Sequence, residues 1–205
     1  EAYAMTEASH QMCSNPIEDG PRKAGTVGKG TGVAVAILDS NNQVVKEPNV
    51  EGEVCIRGAN VTAGYIGVSD QVNREAFAGG WFHTGDQGKL DEEGYLTLTG
   101  RIKELINRGG EKISPLEVDA AMLAHPAVAE AVSFAMPDEK YGEVVAASIV
   151  LKDGQILDEA VLKEFLADKL SSFKVPVKFF FDTKLPKTAT GKIQRRIVAA
   201  HFLPK

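Results

Sequence analysis

The residue of greatest chemical promise in this sequence is a lysine at the end of a constrained loop. Leu185-Pro186-Lys187-Thr188-Ala189-Thr190-Gly191-Lys192 combines proline, threonines and glycine, which form neither helix nor strand well. The segment lies between apolar elements able to hold its ends, so it can project Lys192 from a fixed base. An ammonium is a compact charge with three rotatable donors. It suits a phosphate and a carboxylate whose positions change during a reaction, where a guanidinium fork is geometrically more demanding. Taken alone, the signal is weak, because a surface lysine after a glycine is usually a solvated, inert group. The phosphate-loop pattern also fails, because the spacing is not Gly-x-x-x-x-Gly-Lys-Ser/Thr and Ile193 follows the lysine.

The elements that must position such a lysine change character along the chain. Residues 1–100 hold short β-type runs, Val33 to Leu38, Glu53 to Arg57 and Tyr95 to Thr99, bounded by turn residues. Asp39-Ser40-Asn41-Asn42 and Asp91-Glu92-Glu93-Gly94 read as hairpin turns. After Gly100, strands alternate with amphipathic helices, which places a domain boundary near Arg101 to Lys103. Ser114, Pro115 and Glu117 form the start of a helix with a capping box, and Leu116, Ala120, Leu123 and Ala124 recur as its apolar face. Strands are expected at Val128 to Met136, Val144 to Leu151 and Val177 to Phe181. Asp158 opens a helix that buries Val161, Leu162, Phe165, Leu166 and Leu170, and a short basic helix runs through Arg195 and Arg196.

Composition bounds the function. The 205 residues are 43% hydrophobic, enough for one ordinary domain or two small ones, and the net charge of -5 provides no basic field for nucleic acid or an anionic membrane. Cys13 and Cys55 match neither a zinc pattern nor a redox pair, which favours a reducing, cytoplasmic setting. No run approaches the ~18 apolar residues of a membrane span, and the final residues are not a peroxisomal Ser-Lys-Leu. The chain starts at Glu1 without an initiator methionine and enters at once into a motif-like run, so it reads as a fragment lacking an N-terminal part.

Three separated segments carry a resemblance: Tyr3-Ala4-Met5-Thr6-Glu7; Trp81-Phe82-His83-Thr84-Gly85-Asp86 with Gly94-Tyr95-Leu96 and Gly100-Arg101-Ile102-Lys103-Glu104-Leu105-Ile106; and Leu185 through Ile193. Together the chain resembles the C-terminal part of ATP-dependent acid–CoA ligases of the acyl-adenylating superfamily. The implied architecture is a β-rich subdomain closing a large nucleotide-binding domain (1–100), a hinge (101–103) and a mobile α+β C-terminal domain of the acyl-CoA synthetase type (104–205). The implied reaction joins a carboxylate to ATP as acyl-AMP with loss of pyrophosphate, then transfers the acyl group to the thiol of coenzyme A.

Within that resemblance, Lys192 supplies positive charge during adenylation and Thr6 hydrogen-bonds the α-phosphate. Glu7 helps hold Mg²⁺, a hard ion that favours oxygen ligands. Tyr3 lies against the adenine of ATP or AMP, and Asp86 takes the ribose hydroxyls with Arg101 assisting. Lys103 is the hinge about which the C-terminal domain exchanges Lys192 for the Arg108-to-Lys112 face, where Gly110 borders the pantetheine channel. Gly109-Gly110 also fits a simple tight turn.

The run Tyr3 to His10 and the stretch from Gly100 to Asp119 are most similar to plant and fungal oxalate–CoA ligases. His10 is the candidate donor to the distal carboxylate of that dianion, and a histidine bonded to backbone beneath the nucleotide is the other reading of it. A 4-coumarate-type or fatty acid is the alternative substrate. A nucleotide-binding fragment without catalysis, or a structural protein that has lost the chemistry, are alternatives of another class. The threonine- and glycine-rich loop for the outer phosphates is absent from these residues, so the fragment by itself is expected to be inactive.

Overall fold

A computed structural model describes residues 1–18, 20–187, 191 and 193–203. The chain forms two compact units, Glu1–Ile102 and Lys103–Lys205. As expected from the sequence, the first is rich in strands and the second mixes helices with a sheet.

In the first unit, β1 (Ala2–Met5), β2 (His10–Ser14) and β3 (Lys29–Gly30) form an antiparallel sheet in chain order. A second antiparallel sheet follows, again in chain order: β4 (Ala34–Leu38), β5 (Gly52–Arg57), β6 (Phe82–Leu90) and β7 (Leu96–Arg101). Both expected turns are closed by an aspartate. Asp39 Oδ1 accepts from the amides of Asn41 and Gln43, and Asp91 Oδ1 from those of Glu93 and Tyr95. Tyr3, Met12 and Cys13 from the first sheet pack with Ile37, Val54, Ile56, Phe82 and Leu96 from the second, so one core joins the two sheets. One helix that the β-type reading omitted, α1 (Asp70–Ala76), lies between β5 and β6, with Ser69 as its N-cap accepting from the Val72 amide. Its sequence buries no residue, which removes the periodic apolar signal.

The second unit begins with a small hairpin, β8 (Ile106–Arg108) and β9 (Glu111–Ile113), turning through Gly109 (φ 59°) and Gly110 (φ 101°). After α2 (Pro115–Leu123), the long antiparallel pair β10 (Val128–Asp138) and β11 (Gly142–Leu151) forms the centre of the sheet. Then come α3 (Glu159–Ala167), β12 (Lys178–Asp182), which runs parallel to β11, and α4 (Arg195–Phe202). Alternate residues of β11 separate two cores: Val145, Ala147 and Ile149 meet α2 and α3, while Ala146 meets Phe134, Leu185 and Val198 of α4. β10 is an edge strand of this sheet.

Two details of α2 correct the sequence-based expectation. Its buried residues are Pro115, Val118, Asp119 and Met122, whereas Leu116 and Leu123 are each 47% exposed. The helix is apolar on nearly every side, so spacing could identify a helix without selecting its inward stripe; the sheet selects Val118 and Met122, one turn apart. The outward stripe, Leu116, Ala120 and Leu123, lines a groove with Ala131, Val132 and Ile193. The expected capping box is also replaced. Ser114 occupies the N-cap position without a side-chain cap bond, and both oxygens of Glu117 instead take Lys174 Nζ, at 2.8 and 2.7 Å.

Candidate active site

Asp86 owes its position to an irregularity in the second sheet. Glu53 pairs with Gln87 and Cys55 with His83, so Thr84, Gly85 and Asp86 together stand against Val54 alone. The extra backbone turns at Gly85 (φ 74°), a conformation glycine adopts without a side-chain penalty. Thr84 pins the bulge by donating its hydroxyl to the Val54 carbonyl (2.6 Å) and accepting from the Asp86 amide (3.1 Å). Glu53 Oε1 accepts from the Gly85 amide at 3.0 Å.

The displaced carboxylate then meets two of the other candidate residues. Tyr3 donates its hydroxyl to Asp86 Oδ2 at 2.5 Å, and Arg101, opposite Asp86 in the β6–β7 register, donates Nε to Oδ1 at 2.7 Å. Tyr3 is 8% exposed; burial, followed by the bond to Asp86, raises its pKa far above the usual phenol value and keeps it a neutral donor. Asp86 is thus oriented by one neutral and one cationic donor, and each oxygen retains accepting capacity.

Thr6, Glu7 and His10 share the tip of the β1–β2 hairpin, closed by the Met5–His10 pair. The tip is a single turn of 3₁₀ helix, Thr6–Ala8, followed by two non-glycine residues at positive φ, Ser9 (51°) and His10 (84°). The segment after β5 holds this conformation: Asn60 Nδ2 donates to the Ala8 carbonyl, Ser9 Oγ to the Asn60 carbonyl, and the Thr62 amide to the Glu7 carbonyl. Tyr65 donates its hydroxyl to Glu7 Oε1 at 2.9 Å. Thr6 and His10 are exposed, and Glu7 is half-buried. A half-buried carboxylate already aimed by one donor is a suitable oxygen ligand for Mg²⁺, which takes few protein ligands and completes its shell with water and phosphate oxygens.

Asn60, Tyr65 and Glu53 are site-supporting residues absent from the sequence-based set. Their role depends on contacts across the fold, and neither spacing nor composition marks it. Glu53 also belongs to a group of metal-ligand types, with Oε2 2.8 Å from His83 Nδ1, itself 3.5 Å from Cys55 Sγ. Burial and then the Glu53 charge push the Cys55 thiol up to about 12, so it is protonated. Glu53 thus bonds both His83 and the Gly85 amide.

In the second unit, Gly110 closes the β8–β9 hairpin, its amide donating to Asn107 Oδ1 at 3.1 Å, so the tight-turn role is present. The Arg108 guanidinium lies 3.9 Å from the centre of the Tyr141 ring beside it. Lys103 is exposed within the turn Ile102–Glu104. Lys192 lies outside the described residues, but both its flanks are described. Lys187 and Ile193 pair in an isolated antiparallel bridge, and Lys187 Nζ bonds Glu130 Oε1 at 2.7 Å. Among the described residues, then, Tyr3, Asp86 and Arg101 are in direct contact, Thr6, Glu7 and His10 form one tip, and Lys103 and Gly110 belong to the second unit.

Comparison with known proteins shows what the chain is similar to. The AMP-binding enzyme family model matches residues 1–66, and the AMP-binding enzyme C-terminal domain matches residues 117–192. Oxalate–CoA ligase of Arabidopsis thaliana is 56% identical over 206 residues, covering 100% of this chain and 40% of that protein. Oxalate–CoA ligase of Saccharomyces cerevisiae is 58% identical over 204 residues, covering 98% and 37%. Among solved structures, ATP-bound MatB from Rhodopseudomonas palustris superimposes with a TM-score of 0.90 at 32% identity, covering 98% of this chain and 40% of that one. The o-succinylbenzoate CoA synthetase of Bacillus subtilis with its acyl-adenylate intermediate gives 0.84 at 36% identity, covering 95% and 40%. The chain therefore spans about 40% of the length of these relatives. With both family models matched in order along one chain and likeness running through nearly all of it, the chain belongs to the AMP-binding enzyme family.

Proposed function

We propose that the whole protein containing this chain is an AMP-forming acid–CoA ligase whose acid is oxalate. The observation that carries this reading is the 56% and 58% identity to plant and yeast oxalate–CoA ligases across essentially the whole chain. In the first step, a carboxylate oxygen of the acid bonds to the α-phosphorus of ATP and pyrophosphate leaves. In the second, the thiol sulfur of coenzyme A bonds to the acyl carbon and AMP leaves. Both reactants of the first step are anionic, so placed cations and donors contribute most of the catalysis.

Asp86, oriented by Tyr3 and Arg101, accepts from the two ribose hydroxyls, and the Tyr3 ring borders the adenine. Thr6 donates to the α-phosphate. Glu7, aimed by Tyr65, is the carboxylate that would hold Mg²⁺, which when bound offsets phosphate charge. Lys192 bridges acid and nucleotide during adenylation. Rotation about Lys103 then withdraws Lys192 and brings the Gly110 turn to the thiol channel. His10, exposed at the same tip as Thr6, donates to the distal carboxylate of the acid.

Pyrophosphate release by the full-length protein with oxalate, 4-coumarate and octanoate tests the substrate. Oxalate should be preferred, with His10→Ala raising its apparent KM. Preference for another acid, or an unchanged KM, overturns the corresponding assignment. The present chain alone should form no thioester.

A further inference from the structure

At the start of α4, one side chain reaches three other parts of the second unit. Arg195 Nη1 donates to Asp119 Oδ2 at 2.9 Å and to the Ser133 carbonyl at 2.5 Å, while Nε donates to Glu104 Oε2 at 3.2 Å. These acceptors come from α2, from β10 and from the turn that begins the unit. The Arg195 and Asp119 side chains are only 13% and 12% exposed, so the pair is shielded from water, unlike the Lys187–Glu130 pair at 41% and 32%. Asp119 is itself fixed. Its Oδ1 accepts from the Ser133 amide at 2.6 Å and lies 2.7 Å from the Ser133 hydroxyl. The guanidinium thus docks on a carboxylate already ordered by the edge of the sheet, and its planar fork serves three elements at once.

The placement of this clamp in the chain gives it a consequence for chemistry. Ile193 is the immediate neighbour of Lys192, and the bridge from Ile193 to Lys187 closes the base of the segment that carries the lysine. Arg195, two residues beyond Ile193, fixes the outgoing strand of that base. Glu104 follows Lys103 directly, so the same guanidinium connects the base to the first residues of the unit.

We propose that Arg195 is a positioning residue for the adenylation chemistry of Lys192, tying the start of α4, two residues beyond Ile193, to α2, β10 and the Glu104 turn. This inference rests on the ligase reading above. It separates Arg195 from residues that only stabilise the fold, because Lys192 is needed for adenylation and not for transfer to the thiol.

The test measures the two half-reactions separately in the full-length protein. ATP–pyrophosphate exchange is followed with whichever of oxalate, 4-coumarate or octanoate the wild type uses, and thioester formation is followed from the matching synthetic acyl-adenylate and CoA. Arg195→Ala should lower exchange by about 10²-fold, the scale of loss for a misplaced reacting group, with thioester formation at the wild-type level. Arg195→Lys, which keeps a charge for Asp119 but not the fork, should show the same split with a smaller loss, and it decides the matter if the alanine variant does not fold. Equal losses in both half-reactions, or undiminished exchange, overturn the proposal. Lys192→Ala run in parallel separates the failures: if no acid supports exchange in the wild type, the ligase reading falls and this inference with it, and if Lys192→Ala retains exchange, the role of Lys192 falls and this inference with it. If Lys192→Ala loses exchange while the Arg195 variants keep it, this inference alone falls.

Discussion

Asp86 and Arg195 are each an ionic group held by several partners, yet the two are positioned by different means. Asp86 is placed by backbone: three residues of β6 face one of β5, a glycine at φ 74° makes the turn, and short contacts from Tyr3 and Arg101 orient what the bulge has displaced. Arg195 is placed by reach. A long side chain leaves the first turn of α4 and gathers α2, β10 and Glu104. A group fixed by strand register tolerates changes in the neighbouring side chains better than changes in the backbone. A segment whose polar ties converge on one guanidinium, beside the packing of Val198, is sensitive to the loss of that side chain.

The largest effect expected from this contrast lies at Asp86. Asp86→Ala in the full-length protein should weaken AMP binding, measured by calorimetric titration, by about 10–10²-fold, since hydrogen bonds to a charged group contribute about 1.5–3 kcal/mol. Both half-reactions should fall, because the nucleotide is present in both; a loss confined to pyrophosphate exchange would make Asp86 behave like Arg195 and erase the distinction. Gly85→Ala is the intermediate case. A Cβ there meets no heavy atom within 4 Å, so the cost is the left-handed backbone alone, about 1–2 kcal/mol. Thermal unfolding should show that destabilisation, and an unchanged Tm would mean that the turn does not set the bulge.

The smallest effect concerns the thiols, both of which lie in the first unit and so report on it alone. Burial pushes Cys13 up to about 11 and Cys55, with the Glu53 charge adding, up to about 12. A raised folded-state pKa means that the native chain holds the proton more tightly. The associated stability is therefore complete below the unfolded thiol value of about 8.5 and declines as pH rises through 11 to 12. Native protein at pH 8 should react slowly with a thiol reagent, at a rate set by unfolding, and the denaturant midpoint should drop modestly between pH 8 and pH 10. Rapid native labelling of either cysteine would show that the core beneath the bulge is open.

The sequence made some of these features legible and concealed others for identifiable reasons. The Asp39 and Asp91 turns, the helix start at Asp158 and the strands around Val128 and Val144 follow local chemistry, and the structure contains them. Tyr3, Asp86 and Arg101 were singled out through separate motifs, and the fold brings them into contact. The inward stripe of α2 could not be read from spacing, because its leucines and its Val118–Met122 pair offered competing apolar faces. Asp119 would pass for a surface carboxylate until Ser133 and Arg195 are seen around it, from 14 and 76 positions away. Tyr65 and Glu53 belong to the same class: contacts with Glu7 and Gly85, across 58 and 32 positions, give them their roles.

Ser133 carries one more consequence. Its amide and its carbonyl both point away from β11, and both are occupied, by Asp119 and by Arg195. A border strand of eleven residues is long enough to recruit a strand from another molecule. With its central donor and acceptor already taken by Asp119 and Arg195, β10 offers an interrupted template for such pairing.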